Sequence, residues 1–309
     1  MFATPWPLKL SGIPRIADAT LVGSVAARIT NADARGTVCG VFDRSFYVTL
    51  DAGLICVGPE DLGAGPLNLL CATWFDGLSL RTVLQPGDFA IVDSAKLRAG
   101  PVSISLVHAQ RWHPPPPGPW SNSSLASGLV AFDKALPRQL PSEGLARLLR
   151  PTSPTDRPSP VLAAAEAPIR HLVETIGSMD AAHIDGDQIE PLIGLGPGLT
   201  PSGDDYLGGL LIALSLIGRT RLRDRLWQAL APLLVRRTGH ISRAHLAAAA
   251  AGLGSSALHA VLCAILAGRA DAISVAVASI AGVGHTSGWD ALAGSIAGLR
   301  AAAKTGHVS

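Results

Sequence analysis

Hydrophobic positions along the chain change their period near residue 160. From Leu21 to Trp112, β-branched and aromatic residues come in short runs: Thr37 to Val41, Ser45 to Leu50, Leu54 to Val57, Phe89 to Val92 and Val102 to Val107. Gly, Pro and Asp interrupt them, as in Asp51-Ala52-Gly53 and Gln85-Pro86-Gly87-Asp88. Short runs punctuated by turn residues predict an antiparallel sheet or a small barrel. After Val161, apolar residues recur at spacings of three and four. They do so over Leu162 to Ile176, Asp204 to Ile217, Arg221 to Val235, Ile241 to Ala251, Ser255 to Leu266 and Trp289 to Ala303, which predicts helices. The expected fold class is α+β, a β-rich N-terminal domain followed by an α-helical C-terminal domain.

Two proline-rich stretches, His113 to Pro119 and Pro151 to Pro160, can neither continue a sheet nor sit inside a helix. They delimit three expected segments. Residues 1–118 form the β-rich domain, 119–160 a connector with a short helix near Ser142 to Arg150, and 161–309 the helical domain.

Composition narrows the functional classes. Of 309 residues, 48% are hydrophobic and 16% charged, so the chain has an ordered core to bury. A net charge of +2 with scattered basic residues, and 5% aromatics, offers no track for a phosphate backbone and few rings for stacking bases. Nucleic acid is excluded as a partner. The four cysteines, Cys39, Cys56, Cys71 and Cys263, form no C-x-x-C pair, and MFATPWPLKLSG lacks the features of a signal peptide. A cytoplasmic location fits both. Ala244 to Gly268 is almost uncharged and long enough to span a bilayer, but it is mostly Ala and Gly and carries His245, Ser255, Ser256 and His259. A helix buried in protein is expected there, not a membrane span.

The densest chemistry lies in Leu192 to Leu214, LIGLGPGLTPSGDDYLGGLLIAL. Gly194, Gly196 and Gly198 around Pro197 give a loop with presentable amides, and Thr200-Pro201-Ser202-Gly203 leads into a helix. Ser202 is the expected N-cap, with Asp205 at capping-box spacing and Asp204 beside it. Three readings stand side by side. The loop amides and helix N-terminus hold a phosphate or carboxylate; Asp204 and Asp205 work as acid and base or bind a divalent cation; or the two acids simply cap the helix.

Residues Thr286 to Leu299, TSGWDALAGSIAGL, echo Pro201 to Leu214 at a constant offset of 85 positions. Ser202, Gly203, Asp205 and Gly209 pair with Ser287, Gly288, Asp290 and Gly294, and both copies follow a G-x-G. The repeat predicts two helix N-termini converging on one site. His285, just before the second copy, is a candidate acid, base or cation. Ser242 and Arg243, after Gly239, could add a hydroxyl and a fixed charge to an anion site. His240 and His245 lie five apart, which puts them on different helix faces and makes no zinc pair. No P-loop, G-x-S-x-G, H-E-x-x-H or dinucleotide fingerprint occurs.

LIGLGPGLTPSGDD, the T-x-x-I-S-x-x-x-L of Thr238 to Leu246, and GHTSGWD at Gly284 to Asp290 resemble the AllH-type proteins. The resemblance runs across most of the helical half. That family includes a subunit assigned to oxamate carbamoyltransferase in allantoin and purine catabolism. The resemblance implies a transferase system exchanging a carbamoyl group between oxalurate and phosphate, assembled with other subunits. The expected ligand is a small anion: phosphate, carbamoyl phosphate or an oxamate-like compound. Candidate catalytic residues are Asp204, Asp205, His285 and Asp290. Candidate ligand-binding residues are Gly196, Gly198, Thr200, Ser202, Gly203, Ser242, Ser287 and Gly288. No cofactor is certain; Asp204 and Asp205 are the candidate ligands for Mg2+. The alternatives are a non-catalytic partner or ligand-sensing subunit, and a metal-dependent hydrolase of a small anionic substrate.

Overall fold

The structure is a computed structural model describing residues 15–305 except 73, 76, 94, 151–157 and 179–183. The N-terminal dodecapeptide read for a signal sequence, and most of the Pro151 to Pro160 stretch, therefore lie outside the described residues. The chain divides into two compact units, Met1–Trp112 and His113–Ser309.

The first unit has nine strands: β1 Arg15–Gly23, β2 Ala34–Val41, β3 Phe46–Leu50, β4 Gly53–Pro59, β5 Asn68–Cys71, β6 Phe89–Asp93, β7 Lys96–Ala99, β8 Val102–Ser105 and β9 Gln110–Trp112, with a short helix α1 Ser24–Ile29 after β1. Their order is β5-β4-β3-β2-β6-β7-β8-β1, and β5 also pairs with β1, so eight strands close into a barrel. Of the two sheet forms expected, the barrel is the one formed, and it is mixed. β1 runs parallel to β8, and β4 parallel to β5. One edge of β1 serves two partners in succession: β8 along Arg15 to Asp18, then β9 along Leu21 to Gly23. Closure removes free edges, and an eight-stranded barrel is narrow enough for side chains to fill. Phe46, Val48, Ile55, Val57, Leu69 and Ile104 fill it, each fully buried.

The second unit contains α2 Asn122–Ala135, α3 Pro160–Gly177, α4 Gly186–Ile189, α5 Ser202–Leu216, α6 Thr220–Arg237, α7 His240–Ala250, α8 Ser256–Leu266, α9 Ala270–Ile280 and α10 Ser287–Thr305. Three of these, α2, α4 and α9, are absent from the periodicity reading. Helix α2 lies inside the segment 119–160 expected as a connector. A capping box starts it, Ser121 Oγ accepting from the Ser124 amide at 3.1 Å and Ser124 Oγ accepting from the Ser121 amide at 2.8 Å. Its Leu125 and Phe132 are fully buried in the helical core. The expected helix near Ser142 to Arg150 is a 3-10 turn, Ala146–Leu149.

The core is organised around α5, of which every residue from Tyr206 to Leu214 is buried. A helix that is apolar all round belongs in the middle of a domain. The Ala244 to Gly268 stretch is divided between α7 and α8 by a turn at Gly252, and among the described residues no helix is long and apolar enough to cross a membrane.

Candidate functional site

The glycine-rich loop enters α5 differently from the capping pattern expected. Pro201, not Ser202, is the N-cap; it is extended (φ −56°, ψ 146°), and no side chain caps the helix. Proline has no amide to lose there, its φ suits the helix start, and its carbonyl accepts the Asp205 amide at 3.0 Å. Ser202 is the first helical residue, so the Ser202/Asp205 capping box does not form.

Asp204 turns back into the protein. One carboxylate oxygen accepts the Gly194 amide at 2.8 Å, and the other accepts the Ser242 hydroxyl at 2.6 Å and the Thr238 hydroxyl. Thr238 and Ser242 of the T-x-x-I-S stretch therefore act through Asp204 to hold the loop. Ser242 is itself buried (1% exposed). Arg243 reaches back to the Val235 and Thr238 carbonyls. Both oxygens of Asp204 are thus occupied by protein donors, and no group of three His, Cys, Asp or Glu suited to a metal occurs among the described residues.

Helices α5 and α10 lie side by side and run in the same direction. Contacts advance together along both: Thr200 with Ser287, Tyr206 with Gly294, Gly209 with Ala291 and Ser295, Leu210 with Gly298. The packing is reciprocal at the offset of 85. A Cβ on Gly209 would stand 1.8 Å from the Ala291 carbonyl, and one on Gly294 would stand 1.9 Å from the Tyr206 carbonyl. Positions 206 and 209 of one helix thus exchange roles with 291 and 294 of the other. Gly203 and Gly288 are equivalent in the same way, their missing side chains admitting the Leu192 and Ile280 carbonyls at 2.0 and 2.6 Å. These two glycines pack the preceding turns onto the helices.

Both helix N-termini consequently open at the same end, where Thr200 Oγ1 lies 2.9 Å from Ser287 Oγ. The acids follow the same exchange. Burial pushes the Asp205 carboxyl well above its ordinary value, opposed by the Ser287 and Thr200 hydroxyls and reinforced by the charge of Asp290. Burial also raises Asp290, opposed by the Leu145 amide, which donates at 2.6 Å, and by the Ser202 and Thr286 hydroxyls. Each acid is thus faced by the serine of the other copy. Oδ2 of both is buried without a well-formed hydrogen bond.

Around this junction, the amides of Gly196, Gly198, Leu199, Thr200 and Ser202, and those of Gly284 to Ser287, donate no hydrogen bond among the described residues. Gly196 and Gly198 have φ of +113° and +99°, conformations that L side chains rarely adopt, and Gly198 faces open space. His285 stands at the rim, 86% exposed, its Nε2 3.2 Å from Glu143 Oε2. Thr200, Ser202, Asp205, Ser287 and Asp290 are therefore brought together. Asp204 and Ser242 lie behind them, and His285 is to one side. The Gly144-Leu145 turn, which packs on Asp290, carries no sequence signal of this role; Gly144 is at φ +67°, with a would-be Cβ 2.5 Å from Asp290 Oδ1.

A closed mixed barrel and a helical unit built on two parallel, repeated helices define an α+β protein with its candidate site at paired helix N-termini. Residues 192–299, about a third of the chain, match the family model of the oxamate carbamoyltransferase subunit AllH. That interval contains the glycine-rich loop, α5 and the first turns of α10. No curated protein and no solved structure matches the chain.

Proposed function

We propose that this chain is an AllH-like subunit of a carbamoyltransferase-type system and binds a small anionic ligand where the N-termini of α5 and α10 meet. The supporting observation is the Thr200–Ser287 contact, which joins two loops in which the amides of Gly196, Gly198, Leu199, Thr200 and Ser202, and of Gly284 to Ser287, donate no hydrogen bond among the described residues. Such amides at two positive helix ends suit a phosphate or a carboxylate, the groups borne by phosphate, carbamoyl phosphate, oxalurate and oxamate. Thr200, Ser202 and Ser287 supply hydroxyls to the same anion. Gly196 and Gly198 let the loop backbone approach it.

Asp205 and Asp290 are the proton-handling pair in this reading. In carbamoyl transfer from oxalurate to phosphate, a phosphate oxygen forms a bond to the carbamoyl carbon as the bond from that carbon to the oxamate nitrogen breaks. The leaving nitrogen must gain a proton, and the attacking hydrogen phosphate loses one, so the books balance with a single relayed proton. A carboxyl raised by burial keeps its proton to higher pH than an exposed one, and while protonated it stands beside an anion without repelling it and can pass the proton on. His285 adds a cation at the rim when protonated. In this reading other subunits of an assembly complete the substrate pocket; the support is that the matching family is described as a subunit. The four free cysteines suit a cytoplasmic setting.

Thermal unfolding of the purified chain with phosphate, carbamoyl phosphate and oxamate, each with and without Mg2+, tests the assignment. A ligand at 100 times its dissociation constant adds about 2.7 kcal/mol, which raises the midpoint by several degrees. The expected result is a shift with at least one of these anions that Ser287→Ala and Thr200→Val abolish. No shift with any anion, or one that both variants retain, overturns the site.

A further inference from the structure

Away from the paired N-termini, α3 and α10 border a cavity of about 620 Å³ in the helical unit, open to solvent on one side. Its origin is in the sequence of α10, which presents Ala293, Ala297 and Ala301 at four-residue spacing and so gives α3 only methyl groups to meet. Ile169 and Val173 of α3 form the facing wall. The volume falls within the range of small-molecule sites, which are mostly apolar with a few placed polar groups.

Tyr206 of α5 lines this cavity, and its chemistry is unfinished. The residue is 1% exposed, and its hydroxyl has no hydrogen-bond partner. Buried tyrosine hydroxyls are normally bonded, so an orphan hydroxyl on a residue that lines the cavity points to a partner that enters from outside. Burial pushes the phenol far above its ordinary value, so it keeps its proton and donates. The rim carries Arg170, Arg300 and Lys304 against Glu166 and Glu174, and Arg300 is already paired with Asp133 at 2.5 Å.

We infer that this cavity is a second binding site, for a small molecule with an apolar body and a carbonyl or carboxylate oxygen that accepts the Tyr206 hydroxyl. Benzamide and benzoate are probes of that chemistry, one neutral and one anionic. Their binding to the full chain is read by saturation-transfer NMR and titration calorimetry. Saturable binding of either is expected. Tyr206→Phe should weaken it about fivefold, the value of one neutral hydrogen bond. Ala297→Phe, which fills the cavity, should abolish it; Val173→Phe does the same from the opposite wall if the first variant does not fold. The phosphate-dependent thermal shift at the paired N-termini should survive these substitutions, so the two sites fail separately. No saturable binding of either probe up to tens of millimolar, or binding that both filling variants retain, overturns the inference.

Discussion

The Ser242 hydroxyl donates to Asp204 at 2.6 Å across 38 positions of chain, and through that bond the start of α7 fixes the glycine-rich loop. Asp204 gathers three donors in all, from Gly194, Thr238 and Ser242. Deleting the carboxylate orphans three groups, the Ser242 hydroxyl buried and the Gly194 amide and Thr238 hydroxyl half-buried, and a buried orphan costs about 1–3 kcal/mol. Asp204→Ala should therefore destabilise the protein by about 3 kcal/mol or more, and Ser242→Ala by about 1–2 kcal/mol, because Asp204 keeps its other donors. Urea unfolding at pH 7 measures both. A Ser242→Ala loss as large as that of Asp204→Ala would mean that the carboxylate does not organise the loop.

The reciprocal contact of α5 and α10 makes a second test. Gly209→Ala and Gly294→Ala each drive a methyl into a carbonyl of the neighbouring helix, at 1.8 and 1.9 Å before relaxation. Overpacking of this kind costs about 1–3 kcal/mol, and here the obstacle is backbone, which cannot rotate away. Gly208→Ala on the same helix is the control, because its nearest neighbours are side-chain carbons at 3.6 and 3.8 Å. It should be neutral or gain up to about 1 kcal/mol of helix propensity. The double variant Gly209→Ala/Gly294→Ala should cost less than the two losses added, since one separation of the helices relieves both clashes. Strict additivity in urea unfolding would contradict the shared interface.

What sequence reading could reach follows from these contacts. The S-G-x-D echo was legible because both copies obey one packing rule, and the rule needs Gly at fixed places. The cap was misassigned because Ser-Gly-Asp-Asp carries the composition of a capped start, while Pro201 takes the N-cap position by its fixed φ. Strand β1 was missed because its role depends on β5, β8 and β9, which pair with it from distant parts of the chain. Helix α2 was hidden by the prolines before it, and the Asp290 contact with Leu145 spans 145 positions with no motif at either end.

The raised Asp205 carboxyl makes stability depend on pH in a fixed direction. Unfolded, an aspartate titrates near 3.9, and folded Asp205 titrates well above that. Between the two values the folded state holds more protons, so stability is fully present below about pH 4 and falls as pH rises through the folded value. Asp205→Asn removes this titration while keeping the size. The variant should gain stability relative to the parent as pH rises from 4 to 8, and the measurement is urea unfolding of both at pH 4, 6 and 8. A stability difference that does not change with pH would show that Asp205 is not raised.

His259 acts in the opposite direction. Its ring is buried (2% exposed), and Nε2 accepts the Gly254 amide at 3.1 Å, a bond open only to the neutral ring. Burial, with a smaller contribution from His113, holds it down at about 4. Unfolded, the imidazole titrates near 6.5, so between those values the unfolded chain binds more protons and stability is lost as pH falls from about 6.5 to about 4. The full window corresponds to about 3 kcal/mol. His245, also held down to about 4, adds a second loss of the same sign. His259→Gln keeps an acceptor for Gly254 and removes one titration. It should lie below the parent at pH 7 by the cost of a poorer fit, and its stability should fall less steeply between pH 6.5 and 4, with the His245 share remaining. NMR titration of the parent gives the independent reading: the His259 ring should show no protonation step above about pH 5. A step near 6.5 would mean that the ring is solvated and the Gly254 bond is absent.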